Sequence, residues 1–398
     1  MIVASASRRE SDVVDNDDFL ALDDQLDDAE CSVRDTVRAY ATEHFLPRVD
    51  DWYQSGELPR QIAKELGGLG VLGMQLDGYG CANASPAAYG VACRELEAVD
   101  SGLRSFLSVQ SCLAMYAIHR WGDEDQRREW LPGMASGDAL GCFGLTEPES
   151  GSDPSSMRTV ARRDGGDWVI DGTKAWMSNG TIADVAIIWA GTERGPRGFL
   201  MPTSAPGYTA TEIRDKLSLR ASVSTNLRLE NVRVPASAML PLARGLKAPL
   251  SCLNEARFGI VWGLAGAART CYTAALRYAG RRRQFGRPIA GFQLTQRKLA
   301  TMVVELTYAG LTALRLAQLK RDGTLTPEQI SLGKLANARS AIEVARAART
   351  ILGANGITLA HPVARHLANL DAVLTVEGTE EVHQLIIGRA VTGISAFR

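Results

Sequence analysis

One carboxylate near the C-terminus, Glu377, has the surroundings that a catalytic base needs. The apolar run 372–376 ends at it, Gly378 lets the backbone turn, and Thr379 can cap the helix that follows. Burial among apolar residues raises the pKa of a carboxyl group, which makes its carboxylate a stronger base. The alternative is an ordinary turn glutamate, favoured there by the dipole of the next helix. Taken alone, this stretch favours the alternative.

Arginines occur at two places that suit anion binding. Arg104 lies at the start of a predicted helix, where a positive charge is not favoured. It either pairs with Asp100 or Glu97 at the surface or binds an anion in a pocket. The segment 280–286 places three arginines at the end of another predicted helix. They either complement the helix dipole or bind a pyrophosphate through a bidentate guanidinium.

Three glycine-containing stretches offer backbone groups to a ligand. The loop 144–154 is rich in hydroxyls and N–H groups that can hold a ring edge or a phosphate, and a plain connection of this kind is uncommon. The turn 353–356 either ends a helix or lets the backbone approach a ligand. The stretch 67–73 contains a formal G-x-G-x-x-G, but a helical pattern precedes it, whereas a dinucleotide fingerprint follows a strand. We therefore reject a dinucleotide-binding site there.

The elements that position these residues fall into three blocks. Apolar spacings of three and four residues predict helices between residues 25 and 135, among them 27–45, 59–66, 86–99 and 105–121. Short alternating segments then predict an antiparallel β-domain, a small barrel or sandwich, with strands at 168–170, 174–177, 185–190, 199–201 and 227–234. Long helical patterns follow at 253–281, 294–321 and 327–352. With the helix after Thr379 they predict a four-helix bundle.

Composition limits the class of protein. The chain has 398 residues, of which 45% are hydrophobic and 22% charged, as in a soluble globular protein of two or three domains. The net charge of −1 argues against a nucleic-acid or anionic-membrane partner. The longest apolar run, 259–268, is too short to span a bilayer and indicates a helix buried on all sides.

The ends and the cysteines bear on location. The N-terminus has neither signal-peptide nor transit-peptide features and predicts a disordered arm. Seven cysteines without paired spacing and five histidines without a cluster predict reduced thiols in a cytoplasmic protein, with no metal site. The expected organisation is a disordered arm (1–18), an N-terminal helical domain (19–137), a β-barrel domain (138–243) and a C-terminal helical bundle (244–398).

The motifs and their order resemble the acyl-CoA dehydrogenase family over roughly residues 20–398. Within the family, three stretches are similar to the glutaryl-CoA dehydrogenase branch: 101–105 with 108–111, 142–148 and 254–259. The resemblance implies the fold of that family, which is mainly α with a central β-domain. It consists of an N-terminal helical domain, a middle β-barrel and a C-terminal four-helix bundle. It also implies FAD as the cofactor.

The resemblance assigns a role to each motif. Glu377, in its Glu-Gly-Thr motif, would remove the α-proton of a thioester, and the flavin would take the β-hydride. The residues implied in acyl-CoA binding are Glu97, Arg104, Ser105, Ser152, Leu253, Asn254, Arg257, Val376, Gly378 and Phe397. Around the flavin they are Phe143, Leu145, Thr146, Gly151, Ser152, Trp176, Met177, Ser178 and Thr379. For the pyrophosphate and adenosine they are Arg282 and Phe285 of a neighbouring subunit, with Gln293, Leu352 and Gly353.

The substrate expectation depends on Arg104. In the glutaryl branch the matching arginine meets the distal carboxylate of the substrate, and Glu97 matches the glutamate beside it. A monocarboxylic acyl-CoA would leave the arginine buried and unpaired, at a cost of several kcal/mol, so a short dicarboxylyl-CoA such as glutaryl-CoA is expected. Val376 stands where the decarboxylating enzymes have tyrosine. The product is therefore left open between crotonyl-CoA with CO2 and glutaconyl-CoA.

The sequence departs from the family motifs at two positions, and two other functions remain as alternatives. Ala354 replaces a glycine of the usual Gly-Gly-Asn-Gly turn, and Ser178 replaces the usual threonine. A biosynthetic relative that acts on a carrier-protein-bound or other short acyl chain is one alternative. A catalytically dead helical scaffold is another, against which the presence of Glu377 and Arg104 argues. The resemblance also implies a homotetramer and an electron-transfer flavoprotein or similar acceptor.

Overall fold

The computed structural model of the protein describes residues 17–397. The predicted disordered arm lies outside the described residues except for Asp17 and Asp18. The Asp18 carboxylate accepts hydrogen bonds from the backbone N–H groups of Leu22 and Asp23, both at 2.8 Å. Asp17 accepts one from the Thr273 hydroxyl at 2.9 Å. These two residues are therefore tied to the fold, Asp18 to the N-terminal domain and Asp17 to the long helix that contains Thr273.

Seven helices form the N-terminal domain. They are α1 (Asp28–Tyr40), α2 (Val49–Ser55), α3 (Ile62–Gly68), α4 (Pro86–Val99), α5 (Ser101–Ser108), α6 (Tyr116–Trp121) and α7 (Glu124–Ala135). Ser85 caps α4 by accepting a hydrogen bond from the Ala88 N–H at 3.0 Å. A π-helical segment, Val109–Met115, joins α5 to α6, so the helix predicted over 105–121 begins at Ser101. The stretch 67–73 follows a helix, as predicted.

Seven strands form the middle domain in two sheets. They are β1 (Gly141–Gly144), β2 (Val160–Asp164), β3 (Asp167–Ser178), β4 (Val185–Ala190), β5 (Arg197–Pro202), β6 (Tyr208–Glu212) and β7 (Ser224–Pro235). The sheet orders are β1-β4-β5 and β2-β3-β7-β6, and a bridge between Val160 and Gly191 links the sheets. The all-antiparallel prediction is wrong for one pair, because β1 runs parallel to β4. The segments predicted at 168–170 and 174–177 are one strand, β3, whose pairing with β7 is interrupted twice.

Helices form the C-terminal domain around one short hairpin. The elements are α8 (Lys247–Arg281), β8 (Arg283–Gln284), β9 (Arg287–Pro288), α9 (Gln293–Arg321), α10 (Pro327–Leu352), α11 (Pro362–Val373) and α12 (Glu380–Thr392). Helix α10 packs against α8, α9 and α12, which confirms the predicted four-helix bundle, and α11 is an additional helix. The stretch 259–268 of α8 is buried throughout, as predicted, because α4 and α10 both cover that helix.

A single buried aspartate joins the domains beside Arg104. Asp100 does not pair with Arg104: its Oδ1 accepts a hydrogen bond from the Gly102 N–H at 2.7 Å and caps α5. Its Oδ2 accepts from Arg365 Nη1 at 2.8 Å and Asn369 Nδ2 at 2.9 Å, both on α11. A Cβ on Gly102 would lie 1.9 Å from the carbonyl oxygen of Ala221 in the middle domain. All three domains therefore fix the position of α5.

One helix in the described part of the chain, α9, is long and apolar enough to cross a membrane by length and composition alone. Only 33% of its most apolar window is buried inside the protein. Val304, Tyr308 and Leu311 are exposed along it. A core helix of a soluble protein passes the same test, so the length and composition of α9 are weak evidence for a membrane span. An apolar helix face of this size is also typical of a surface between protein subunits.

Candidate active site

Glu377 lies in the turn between α11 and α12, and its backbone is strained. Its φ of +56° is in the left-handed region, and Gly378 follows at +112°. Thr379 caps α12, as predicted, by accepting a hydrogen bond from the Val382 N–H at 3.3 Å. Arg257 Nε of α8 donates to the carbonyl oxygen of Glu377 at 2.7 Å. This turn is thus held by side chains of the surrounding bundle.

Lys334 of α10 holds the same turn from the other side. It is 1% exposed, and its Nζ donates to the carbonyl oxygens of Gly378 at 2.8 Å and Leu374 at 3.4 Å. Burial lowers the pKa of Lys334 to about 8, although the nearby Glu377 carboxylate opposes that shift. Lys334 had no predicted role. The sequence feature that could have indicated its burial is its spacing, which places this lysine on the same face of the helix as the buried Ile330, Ala338 and Ala341.

The Glu377 carboxyl group is buried although the residue as a whole is only partly so. Its Oε2 is inaccessible to solvent and has no hydrogen-bond partner among the described residues. Burial raises the pKa of Glu377, and the positive charges of Arg104, Arg257 and Lys334 act against that rise. Glu97 is the other carboxylate that influences Glu377. Three basic side chains and one other carboxylate therefore act on Glu377.

Arg104 is the most deeply buried of the predicted substrate residues that carry a positive charge. It is 1% exposed, and its Nε donates to Glu97 Oε2 at 2.6 Å, so Glu97 and not Asp100 is its partner. The two terminal nitrogens of Arg104 have no hydrogen-bond partner among the described residues, and neither has Glu97 Oε1. Burying such a pair is costly unless its remaining donors and acceptors are satisfied. The two terminal guanidinium nitrogens of Arg104, its fork, are therefore free to bind a second carboxylate.

The other predicted substrate residues divide into two groups. Asn254 belongs to the cluster, because its Oδ1 accepts a hydrogen bond from Arg257 Nη1 at 3.1 Å. The rest of the cluster by position is Ser105 after Arg104, Leu253 before Asn254, and Val376 with Gly378 on either side of Glu377. Ser152 and Phe397 are exposed and have no hydrogen bond to this cluster. One chain by itself does not bring those two residues to the base.

His383 is a further buried residue that the sequence analysis left without a role. It is fully buried, and neither ring nitrogen has a hydrogen-bond partner among the described residues. Burial lowers the pKa of His383 to about 3, with Lys334 and Arg257 acting in the same direction, so the ring is neutral. A Cβ on Gly378 would lie 2.9 Å from His383 Nε2. The glycine after the base therefore lets the turn pack on this ring.

The predicted flavin residues of the middle domain gather where a loop meets the second irregularity of β3. Buried Lys174 donates to Glu147 Oε1 at 2.8 Å and to the Leu145 carbonyl oxygen at 3.1 Å. The Ala175 N–H donates to the Thr146 carbonyl oxygen at 2.9 Å. These bonds bring together Leu145, Thr146, Trp176, Met177 and Ser178, with Phe143 buried in β1 below them. Gly151 and Ser152 lie in the exposed part of the loop.

Trp176 has the features of a residue that awaits a ligand. Its side chain is 64% exposed, and its φ of +57° is strained for a non-glycine residue. The N–H of Thr146, next to it, has no acceptor among the described residues. An exposed aromatic ring beside a free backbone donor fits a flat, polar-edged ring system such as a flavin. The Trp176 ring and the Thr146 N–H therefore suit the ring of the predicted flavin cofactor.

The remaining predicted cofactor residues gather around the hairpin of β8 and β9. Phe285 is 94% exposed at a φ of +49°, and its ring lies 6.1 Å from that of Phe292, which precedes Gln293. Asn355 Nδ2 donates to Tyr278 at 3.0 Å and ties the turn after Leu352 and Gly353 to the end of α8, next to Arg282. No hydrogen bond joins this group to the Trp176 group among the described residues. One chain thus carries two separate partial sites.

Three family models match the chain in order. The acyl-CoA dehydrogenase N-terminal domain matches residues 27–138, the middle domain residues 142–232 and the C-terminal domain residues 243–392. The human mitochondrial short-chain specific acyl-CoA dehydrogenase is 33% identical over 359 residues, which are 88% of this chain and 87% of that protein.

Solved structures agree with the family models. The crystal structure of glutaryl-CoA dehydrogenase from Mycobacterium smegmatis is 58% identical with a TM-score of 0.95, covering 96% of this chain and 99% of that one. A structure of a glutaryl-CoA dehydrogenase from the same organism in complex with FADH2 is 57% identical, with a TM-score of 0.94 and coverages of 94% and 97%. The predicted resemblance to the glutaryl branch is confirmed. Since its three domains match in order and along most of its length, the chain belongs to the acyl-CoA dehydrogenase family of oxidoreductases.

Proposed function

We propose that this protein dehydrogenates a short dicarboxylyl-CoA, glutaryl-CoA, at its α and β carbons. The observation that carries the proposal is Arg104, which is buried beside the base with its terminal nitrogens free. A distal carboxylate would accept a bidentate pair of hydrogen bonds from that fork. The similarity to the mycobacterial glutaryl-CoA dehydrogenases supports the same choice.

The charges of the cluster give a second argument. Arg104, Arg257 and Lys334 act on Glu377 in a buried site, together with one other carboxylate, Glu97. The distal carboxylate of a dicarboxylyl substrate would add a negative charge beside these cations, whereas an acyl chain without a carboxylate adds none. The short-chain specific relative shows that other family members act on other acyl chains, so a substrate comparison decides the point.

The cofactor is FAD, as the resemblance predicted, since the family and the FADH2-containing neighbour both indicate it. Leu145, Thr146 and Trp176 would hold the flavin ring, and Arg282 would bind the pyrophosphate. When bound, FAD accepts the β-hydride, which no protein side chain can do. The exposed, strained Trp176 and the unbonded Thr146 N–H fit that role.

Glu377 carries the acid–base part of the reaction. Its buried, unpartnered Oε2 is free to take the α-proton of the thioester, and the raised pKa of the group makes it a better base. The backbone N–H of Glu377 has no acceptor among the described residues, so it is available to donate to the thioester oxygen as negative charge develops there. Arg257 and Lys334 keep the turn in the strained conformation that presents both groups.

Assembly, electron acceptor and location are further parts of the proposal. Two partial cofactor sites on one chain, and the exposed apolar face of α9, are accounted for if a second copy covers that face and completes each site in a homotetramer. An electron-transfer flavoprotein or a similar acceptor would reoxidise the flavin. All seven cysteines are free thiols, as expected for the proposed cytoplasmic location.

Replacing the base tests the mechanism. Glu377→Gln keeps the shape of the side chain but cannot accept a proton, so we expect the rate of flavin reduction to fall by at least about 10³-fold while FAD and glutaryl-CoA still bind. Stopped-flow absorbance of the flavin measures this rate. Glu380→Gln, three residues on and paired with exposed Arg339, is the matched control and should keep the wild-type rate. A Glu377→Gln variant that reduces its flavin normally would place the base elsewhere.

The pH profile tests the role of Lys334. Lys334→Met removes one of the cations that hold down the pKa of Glu377, so that pKa rises and the acid limb of the flavin-reduction profile moves to higher pH. The position of the acid limb is compared and not the absolute rate, because Lys334→Met also removes the two hydrogen bonds that hold the turn at every pH. Lys334→Arg keeps the charge and should keep the wild-type limb. Identical acid limbs for Lys334→Met and wild type would contradict the role.

Substrate preference tests Arg104. Arg104→Gln removes the charge-assisted pair with the distal carboxylate, which costs about 2–4 kcal/mol, or roughly a 30- to 1,000-fold loss in kcat/KM for glutaryl-CoA. Turnover of butyryl-CoA should change little or improve, since its chain has no carboxylate. Steady-state kinetics with both substrates measure the two effects. Equal losses on both would show that Arg104 is structural, and wild-type preference for butyryl-CoA would overturn the proposed substrate.

The fate of the distal carboxylate depends on how tightly Arg104 holds it. Decarboxylation needs the carboxylate to release its charge into the conjugated product, and a tight bidentate pair raises that barrier. In the decarboxylating branch a tyrosine at the position of Val376 would crowd the pocket and offer a competing hydrogen bond. Val376 offers neither, so we propose that product leaves partly or wholly as glutaconyl-CoA.

Carboxyl-labelled glutaryl-CoA measures this outcome. We expect less than stoichiometric release of labelled CO2 from the wild type, and more from Val376→Tyr, because the added hydroxyl competes with the arginine. Val376→Phe adds the bulk without the hydroxyl and separates crowding from hydrogen bonding. Stoichiometric CO2 with crotonyl-CoA as sole product of the wild type would show that valine does not preserve the carboxylate.

A further inference from the structure

Gly263, on the face of α8 that packs against α4, leaves room for a carboxylate. A Cβ at this position would lie 2.1 Å from Glu97 Oε2, 3.0 Å from Glu97 Cδ and 3.3 Å from Arg104 Cγ. The first distance is shorter than real Cβ contacts allow, and the other two are tighter than most of them, so a side chain at residue 263 would displace the Glu97 carboxylate. The atoms displaced belong to the pair that the proposed function depends on.

Other glycines of α8 meet different atoms. A Cβ on Gly266 would lie 2.0 Å from the backbone carbonyl oxygen of Arg94, and one on Gly259 would lie 3.0 Å from Cys93 Sγ. Gly266 therefore allows the two helix backbones to approach, whereas Gly259 leaves room for the side chains of Cys93 and Tyr89. At Gly263 the first obstacle is instead the far end of a flexible side chain, which can rotate away without moving the backbone.

The Glu97 carboxylate has little else to hold it. Glu97 is 0% exposed, its Oε1 has no hydrogen-bond partner among the described residues, and its Oε2 is bonded to Arg104 Nε alone. A methyl group at residue 263 would therefore be accommodated by rotating this carboxylate off Arg104. Arg104 would then lose the one hydrogen bond that fixes the direction of its fork.

We propose that Gly263 is a specificity-determining position: by lacking a side chain it lets Glu97 orient Arg104 toward the distal carboxylate of a dicarboxylyl-CoA. Gly263 is a positioning residue, since it acts through Glu97 and not by contact with the base or the acyl chain. The inference rests on the proposed function. Beyond the proposed function, it states that three residues on three helices determine the preference for dicarboxylyl over monocarboxylyl substrates. They are Glu97 of α4, Arg104 of α5 and Gly263 of α8.

A double-mutant cycle tests this inference in the full-length holoenzyme. The variants are Gly263→Ala, Glu97→Ala and the double variant, with Gly280→Ala as the control on the same helix. Gly263→Ala should raise KM for glutaryl-CoA and lower the ratio of kcat/KM for glutaryl-CoA to that for butyryl-CoA by about tenfold or more, with kcat for butyryl-CoA nearly unchanged. Gly280→Ala, whose added Cβ would meet no atom within 4 Å, should leave the ratio unchanged without lowering Tm.

The double variant distinguishes displacement of Glu97 from general damage. With the Glu97 side chain gone, the added methyl occupies vacated space, so Gly263→Ala in the Glu97→Ala background should change the ratio by less than about twofold. It should also raise Tm relative to Gly263→Ala alone, an outcome that remains measurable if the single variant folds poorly.

Three results would overturn the inference. In the first, Gly263→Ala keeps the wild-type substrate ratio. In the second, Gly263→Ala lowers the ratio as much in the Glu97→Ala background as in the wild type, which would make its effect independent of Glu97. In the third, wild-type enzyme has no preference for glutaryl-CoA over butyryl-CoA, and the proposed function fails together with the inference. A preference in the wild type with an unaltered Gly263→Ala ratio sinks the inference alone.

Discussion

The structure depends on burying one carboxyl group, that of Glu377, without giving it a direct ion pair among the described residues. A cation bonded to the Glu377 carboxylate would stabilise the charged form and hold down its pKa, which weakens a base. Arg257 and Lys334 instead donate to backbone carbonyls of the same turn, and Arg104 donates to Glu97. Their charges stabilise the carboxylate from a distance, while Oε2 stays without a hydrogen bond. The base is thereby tolerated inside the protein and still free to take a proton.

This arrangement requires elements from separate domains to be fixed against one another. Glu97 and Arg104 come from the N-terminal domain, while Arg257 and Lys334 come from the C-terminal bundle. Asp100 holds these parts in register, because it caps α5 and binds two side chains of α11, the helix that leads into the turn of Glu377. Removing one partner of such a buried pair typically costs about 3–5 kcal/mol. The position of Glu377 therefore depends on the contacts between the domains.

Much of this was predictable where chemistry requires a particular residue type. The turn after Glu377, the cap at Thr379 and the bundle follow from local patterns, and Arg104 stood out as a charge at an unfavourable helix position. Lys334 was missed because a single lysine within a helical pattern is usually a surface residue. The parallel pairing of β1 with β4 was missed because a four-residue strand carries no signal for its partner. Those features are set by tertiary packing.

Three of the residues that the resemblance singled out, Trp176, Phe285 and Glu377, have a left-handed backbone. Among the described residues, the left-handed positions that are neither glycine nor asparagine are Ala21, Tyr79, Trp176, Leu219, Phe285 and Glu377. Such strain costs about 1–3 kcal/mol per residue and persists only where surrounding contacts fix it. For Glu377 those contacts are within the chain, since Arg257 and Lys334 hold its turn.

Trp176 and Phe285 differ from Glu377, because their side chains are 64% and 94% exposed. Two large aromatic side chains held out of the core in strained conformations lack most of the burial that would offset their strain. In the proposed holoenzyme Trp176 would contribute to the flavin site, and Phe285 would contribute to the cofactor site of a second subunit. Exposure together with strain at these two residues is what such contacts would explain, and this argument does not use sequence similarity.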